Sequence, residues 1–267
     1  MKVWLHTLAS SLLMVMPWVL APQLGNPYAF IAAFFFSTLG AAQNIGIVHE
    51  FAHRTPRGPR ALSRAWAAFA HALGGLVFEK ARTAHRYHHA FLGGPTDPDR
   101  HGYDQTTEGR WRRFRYLLLV GPLRGWFAPV ELASVLAKLP QSAKDDYARK
   151  AWKDRVLLLL AQLVLIGGLG WFYLGYAASL IFANMLSNVR EMTEHGNGGQ
   201  AAYVNIKPSL FGVLFFSTPG FWYHGAHHLR PEIPYWELPS KAADILSKDD
   251  IPLLNRTSYL KYLWSGV

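Results

Sequence analysis

Forty-seven consecutive residues, 3 to 49, contain no Asp, Glu, Lys or Arg, and a second uncharged stretch of 34 residues runs from Val156 to Val189. As a helix rising about 1.5 Å per residue, the first stretch would be more than twice as long as one roughly 30 Å crossing of a bilayer core. Each stretch therefore predicts a hairpin of two spans. The first breaks between Pro22 and Pro27, and the second turns at Gly167-Gly168 or at Gly170. The expected spans are roughly 3–21, 28–48, 155–170 and 171–189. A soluble protein of 267 residues offers too little other sequence to cover that much apolar helix.

Positive charge gives the orientation. Of 27 Lys and Arg, one is Lys2, 19 lie between Arg54 and Arg155, and seven lie from Arg190 onward. The connectors near Gln23 to Asn26 and near Gly170 carry none, so both termini and the long middle segment are expected on the cytoplasmic side. The formal charge of +10 then reads as a bias toward the membrane surface, with no nucleic-acid partner. The first 21 residues imitate a secretory signal, but Pro22 at the would-be scissile bond and the apolar run beyond it predict a retained anchor. The chain has no cysteine, which excludes disulfide scaffolds and iron–sulfur sites.

The fold expected is an all-α integral membrane protein, four transmembrane helices in two hairpins, with a cytosolic helical cap formed by residues 49–154 and 190–267. Apolar runs at 62–78, 116–139 and 210–221 are interrupted by charge, Pro or Gly, as in segments that lie on a membrane surface or pack on the ends of spans. No repeat or linker divides the chain, and residues 1–267 read as one domain.

Nine of the twelve histidines fall into four groups: His49 and His53; His85, His88 and His89; His195; and His224, His227 and His228. On helices, offsets of three and four place the members of a group on neighbouring positions of one face. Imidazoles in this number point to metal, and to more than one ion, because a single zinc takes about four ligands. Two irons, each with four or five imidazoles and an open position for oxygen, would use all nine. His6 and His71 read as hydrogen-bonded structural histidines, and His101 has no partner at ligand spacing.

The spacing His-x-x-x-His, His-x-x-His-His, and again His-x-x-His-His after a second hairpin resembles that of the membrane fatty acid desaturases. Asp97-Pro98-Asp99 after the second group, the stretch from His227 to Pro234 with Leu238-Pro239 after the third, and Arg190 with Glu194-His195 are also similar to that family. The resemblance implies a non-haem diiron centre that uses O2 to remove hydrogen from an unactivated C–H bond of a lipid or acyl chain. The nine histidines would be the iron ligands. Glu50, Asp97, Asp99 and Glu194 would be carboxylates that orient imidazole N–H groups. Glu191 stands where some relatives place an Asn that reaches iron through water, and is expected to be a direct or water-mediated ligand. Electrons would come from a separate ferredoxin, rubredoxin or cytochrome b5-type donor. The cluster Arg110, Arg112, Arg113 and Arg115 is a docking face for such an acidic partner or for anionic lipid. Phe34, Phe35, Phe36, Gly40 and Gly175 are positions that would set the depth of a substrate channel or serve helix packing.

Two other readings remain. Related histidine-box proteins hydroxylate alkanes or hydroxylate and ketolate carotenoids, with the same metal chemistry. The segment His49-Glu50-Phe51-Ala52-His53 is also a literal His-Glu-x-x-His, the zinc metalloprotease pattern with Glu50 as general base, although that reading leaves seven clustered histidines without a role.

Overall fold

Gly25, in the left-handed region at φ +63°, ends one helix, and Asn26 starts the next by accepting the N–H of Ala29 on its side-chain oxygen at 3.0 Å, with Pro27 at the first helical position. In the computed structural model, residues 2–53, 58–100, 109–124, 130–195, 203–206, 209–216, 220, 222–248, 253–256 and 258–265 are described. Helix α1 (Lys2–Leu24) runs through both Pro17 and Pro22, and α2 (Pro27–Ala52) extends past the apolar stretch to carry His49. The turn between them falls inside the expected break.

The two helices form the tightest pair in the fold. A Cβ on Gly40 would lie 2.5 Å from the backbone nitrogen of Met14 and 2.8 Å from the Ser10 carbonyl, so only glycine permits this crossing. The Ser37 hydroxyl donates to the Met14 carbonyl at 2.7 Å, and the Asn44 amide donates to the Ser11 hydroxyl at 3.0 Å. Ser37 and Asn44 are thus matched to partners across the helix pair, as a lipid setting favours.

Helix α3 (Arg60–Leu73) and α4 (Phe78–Phe91) follow, bent by 105° at the intervening turn. Next come α5 (Arg110–Leu119), α6 (Gly121–Arg124), α7 (Val130–Ala137) and the long α8 (Gln141–Leu169). A 3-10 turn at Gly170–Phe172 leads into α9 (Tyr173–His195). Gly170 has φ +56°, a conformation that favours glycine, and the chain reverses there. The reversal is evident because Gln162 and Tyr173, about 16 Å apart on a straight helix, are joined by a 2.8 Å hydrogen bond. The Gln162 amide and the Tyr176 hydroxyl both cap the carbonyl end of α3, reaching Ala72 and Leu73 at 2.6 Å each.

The remaining elements are β1 (Tyr203–Ile206), α10 (Leu210–Phe215), α11 (His224–Leu229), α12 (Leu238–Lys248), β2 (Leu253–Arg256) and α13 (Tyr259–Ser265). The two four-residue strands pair in parallel, Tyr203 opposite Leu253, a small addition to a fold that is otherwise helical. By length and composition three helical runs can cross a membrane: Lys2–Leu24, Pro27–Ala52 and Gln141–His195. Their outer faces carry large exposed apolar side chains, among them Leu12, Ile31, Val164 and Leu174, which suits a lipid environment.

Of the two roles expected for Gly40 and Gly175, helix packing is the one seen, since a Cβ on Gly175 would lie 2.1 Å from the Trp18 ring, and neither glycine lines the cavity beside the histidines. One expectation changes. Arg113 is no docking residue. It is 3% exposed and donates to the carbonyls of Leu263 at 3.0 Å and Trp264 at 3.3 Å, fastening α13 to α5.

The glycine contacts yield a test. Gly40→Leu forces backbone apart at the α1–α2 crossing and should destabilise the detergent-solubilised protein by about 1–3 kcal/mol or more. Gly167→Leu, where a Cβ meets nothing within 4 Å, should leave the thermal midpoint nearly unchanged. Equal midpoints for the two variants would refute this account of the crossing.

Candidate metal centre

Four elements bring the histidines together. His49 lies in the last turn of α2 and His53 caps it, His85, His88 and His89 lie on α4, His195 ends α9, and His224, His227 and His228 lie on α11. Helix α4 is held at its start by a buried ionic lattice. Asp154 accepts the backbone N–H of Glu79 at 2.8 Å and pairs with Arg64 at 2.9 Å, while Glu79 pairs with Arg82 at 2.6 Å. This lattice fixes the rotation of α4, and hence which histidine faces where.

The ring nitrogens converge on two points. His49, His53, His85, His89 and His227 form one set, and His88, His195 and His228 another, each with one ligand atom per residue within 4.8 Å of all the others. His224 joins the second set, its Nε2 standing 2.9 Å from Nε2 of both His195 and His228. All nine clustered histidines of the sequence are thereby brought together. The tandem pairs divide, His88 and His228 to one point, His89 and His227 to the other, because neighbours on a helix point about 100° apart.

These contacts suit metal better than hydrogen bonds. An Nε2 has one in-plane direction, a proton or a lone pair, so it makes one good hydrogen bond. Yet Nε2 of His195 faces Nε2 of His88 at 3.2 Å and of His224 at 2.9 Å, and Nε2 of His224 faces both His195 and His228. Two nitrogens each about 2.0–2.1 Å from one ion lie about 2.9 Å apart at a right angle and about 3.3 Å apart at the tetrahedral angle. The observed separations match those of a coordination shell. His89 Nε2, in the first set, is buried without a hydrogen-bond partner, as a ligand atom awaiting an ion would be.

Carboxylates orient the second set from behind. His88 Nδ1 donates to Asp97, 2.9 Å from one oxygen, which directs the Nε2 lone pair at the convergence point. Asp97 is itself fully buried and accepts the N–H groups of Gly93 at 3.0 Å and Asp99 at 2.9 Å, so the Asp-Pro-Asp segment is a built carboxylate cradle. Asp99 lies farther off, 3.9 Å from His88. Glu194 stands 3.4 Å from His224 Nδ1, pairs with Arg190 at 3.2 Å and accepts the Tyr259 hydroxyl at 3.2 Å. Tyr259 was not legible as part of the site, since nothing in its sequence neighbourhood resembles a motif. Glu50 is fully buried on α2 between His49 and His53.

Burial, followed by repulsion from neighbouring imidazoles, holds His85, His227 and His228 well below the ordinary histidine range. Burial, then Arg86, lowers His53 to about 4. His88 differs: burial works against its charge, but the hydrogen bond from Asp97 and the charge of Asp99 outweigh burial and raise it. For His53, His85, His227 and His228 burial thus favours the neutral imidazole, the form that binds metal.

A cavity of about 210 Å³ opens beside the first set, where His49 and His85 form part of its wall with Ile45, Val48, Val77 and Phe78. Glu191 and Asp99 line it as well. Glu191 is not among the converging ligand atoms, and its charge acts on His88 from the cavity side. His6 bonds to the Tyr235 hydroxyl, as a structural histidine does. His71 departs from its expected role, for its buried Nδ1 has no hydrogen-bond partner. His101 lies outside the described residues.

The carboxylate geometry makes a prediction. Asp97→Asn keeps the size of the side chain but removes the charged acceptor behind His88, and metal affinity should fall about 10- to 100-fold. Competition with a chelator of known affinity measures it, and unchanged affinity would show that Asp97 does not orient the ligand.

Among protein families, that described as fatty acid desaturase matches residues 3–253, which takes in both uncharged stretches and all nine clustered histidines. No curated protein and no solved structure matches the chain. With three long apolar helical runs and a match over almost its whole length, the chain is a membrane protein that belongs to the fatty acid desaturase family.

Proposed function

We propose that the protein is a membrane-bound diiron oxidoreductase that uses O2 to insert a C=C bond into a fatty acyl chain. The observation that carries this reading is the division of nine imidazoles into two sets of five and four, with each tandem pair split between them. A zinc protease on His49, Glu50 and His53 would leave the second set unexplained. With two irons bound, the site supplies oxygen activation for attack on an unactivated C–H bond.

The rest is the work of the chain's own residues. His49, His53, His85, His89 and His227 hold one iron, and His88, His195, His224 and His228 hold the other. Asp97 keeps the Nδ1 proton of His88, which leaves Nε2 to the ion, and Glu194 stands 3.4 Å from Nδ1 of His224. The acyl chain lies in the cavity against Ile45, Val48 and Val77, with the attacked carbon beside His49 and His85. These apolar walls exclude water from the reacting carbon. A second cavity shares Val77 and Lys80 with the first and is lined by Leu158, Leu159 and Leu180, a greasy route inward from the helix flanks.

The reversal at Gly170 supports four crossings, with both termini and the histidines on the cytoplasmic side. Arg110 and Arg115 are exposed on α5 and, with Arg112, form the basic face that would receive an acidic ferredoxin, rubredoxin or cytochrome b5-type donor.

Metal analysis of detergent-purified protein tests the reading. About two irons per chain are expected, falling to about one in His88→Ala and in His89→Ala, since each removes a ligand from a different set. Lipid profiles of cells making the wild type, but not the double variant that combines His88→Ala with His89→Ala, should gain an unsaturated acyl species. About one zinc per chain, retained in the double variant, together with proteolysis abolished by Glu50→Gln, would overturn it.

A further inference from the structure

The cavity beside His49 and His85 is two-faced. One side is built from apolar residues of α2 and of the turn leading into α4, with Lys80 and Arg82 of α4 beside them. The other is the face of α9 that carries Asn184, Ser187, Asn188 and Glu191, at offsets of three and four along one side of the helix. A plain alkyl chain makes no use of such a wall, because CH2 groups offer nothing to a hydroxyl or an amide.

Part of the wall has a structural task. The Asn188 amide donates to the carbonyls of Gly121 at 3.0 Å and Asn184 at 2.7 Å, tying α9 to α6 and to itself. Asn184 lends that bond only its backbone oxygen, which leaves its side-chain amide to the cavity it lines, next to Ser187. His71, at the end of α3, is 5% exposed and lines the same cavity; its Nδ1 is buried without a hydrogen-bond partner, so a ligand in the cavity would meet the ring through Nε2. Its ring makes an edge contact with Phe78 at 5.7 Å, which fixes its orientation. A neutral imidazole always presents one N–H donor and one bare acceptor. Leaving such a group unpartnered in an apolar surrounding is unfavourable, and a ligand that completes its bonding is correspondingly favoured.

We propose that the substrate carries a hydrogen-bonding oxygen, a hydroxyl or carbonyl on the chain itself, held by His71, Asn184 and Ser187 close to the attacked carbon. The residues are positioning and specificity-determining groups, with no part in the metal shell. The proposal rests on reading this cavity as the substrate site of an iron enzyme. It refines the substrate from a plain acyl chain to an oxygenated one.

The test is retention of defined lipids by the purified full chain in nanodiscs, measured against empty nanodiscs by mass spectrometry. Stearic acid is compared with a positional panel of monohydroxystearic acids. At least one isomer should be retained about tenfold more than stearic acid, the factor expected for one buried hydrogen bond. His71→Leu and Ser187→Ala should each bring that ratio near unity while changing stearic acid retention less than about twofold. His71→Gln, which keeps a donor and an acceptor, should restore most of it. Should no isomer exceed stearic acid, or should the ratio survive both substitutions, the proposal is wrong. Iron content measured on the same samples separates the two ideas: protein without iron refutes the enzyme reading whatever the lipid ratio, and a flat lipid ratio on iron-loaded protein refutes only the oxygenated substrate.

Discussion

Adjacent residues on a helix point about 100° apart, and the two pairs of neighbouring histidines turn that angle into two points of convergence, each a candidate metal position. His88 and His89 on α4, and His227 and His228 on α11, each reach one convergence point with the first member and the other with the second. The remaining ligands only have to fill in around this frame. His49 and His53 come from one end of α2, His195 and His224 from the other flank. For the frame to work, α4 and α11 need fixed rotations about their own axes. The Arg64, Asp154, Glu79 and Arg82 lattice fixes α4, and backbone of the segment after α11 approaches Gly220 so closely that a Cβ there would lie 2.0 Å from the Tyr235 carbonyl.

Packing nine imidazoles together creates an electrostatic problem that burial itself resolves. Were the rings charged, they would repel and the site would open. Burial favours their neutral forms, so the rings can approach to 2.7 Å between His53 and His85. His88 is the exception: Asp97 holds a proton on its Nδ1 and favours its charged form, so that a metal at Nε2 would take the place of the second proton. Glu194 takes the same position behind His224, but it also reaches Tyr259 on α13, which Arg113 in turn fastens to α5. The orientation of one imidazole is thereby coupled to the packing of the carboxyl-terminal helix.

Much of this was legible in the sequence, and the reason is that the strongest signals come from things water and lipid do not tolerate. Long uncharged stretches marked the apolar helices, and histidines at offsets of three and four marked the ligand sets. Asp97 and Glu194 were among the acidic residues expected to stand behind imidazoles. What escaped notice was carried by ordinary-looking residues. Helix α8 begins at Gln141, 15 residues before the apolar stretch, because its charged first half packs on α3 and α4 through Asp154. Pro17 and Pro22 did not end α1, since a helix packed in an apolar setting tolerates what an isolated one does not. Arg113 looked like its three neighbours, and only the position of α13 distinguishes it. Glu191, at ligand spacing from His195, also lines the cavity, which its sequence position alone did not reveal.

The placement of Glu191 joins the histidine cluster to the cavity beside it. The side of α9 that ends in His195 also presents Asn184, Ser187 and Glu191 to the cavity, so the same helix that holds a ligand forms the polar wall. A chain with a group bonded to that wall could neither slide nor rotate freely, and the carbon facing His49 and His85 would be set by hydrogen bonding as well as by cavity depth. Fixing the reacting carbon in this way is worth more to the reaction than added apolar contact, because uniform binding of a chain does not choose among its carbons. In a site whose walls were wholly apolar, neighbouring CH2 groups would be nearly equivalent. A polar wall bonded to the chain, as proposed, would remove that equivalence.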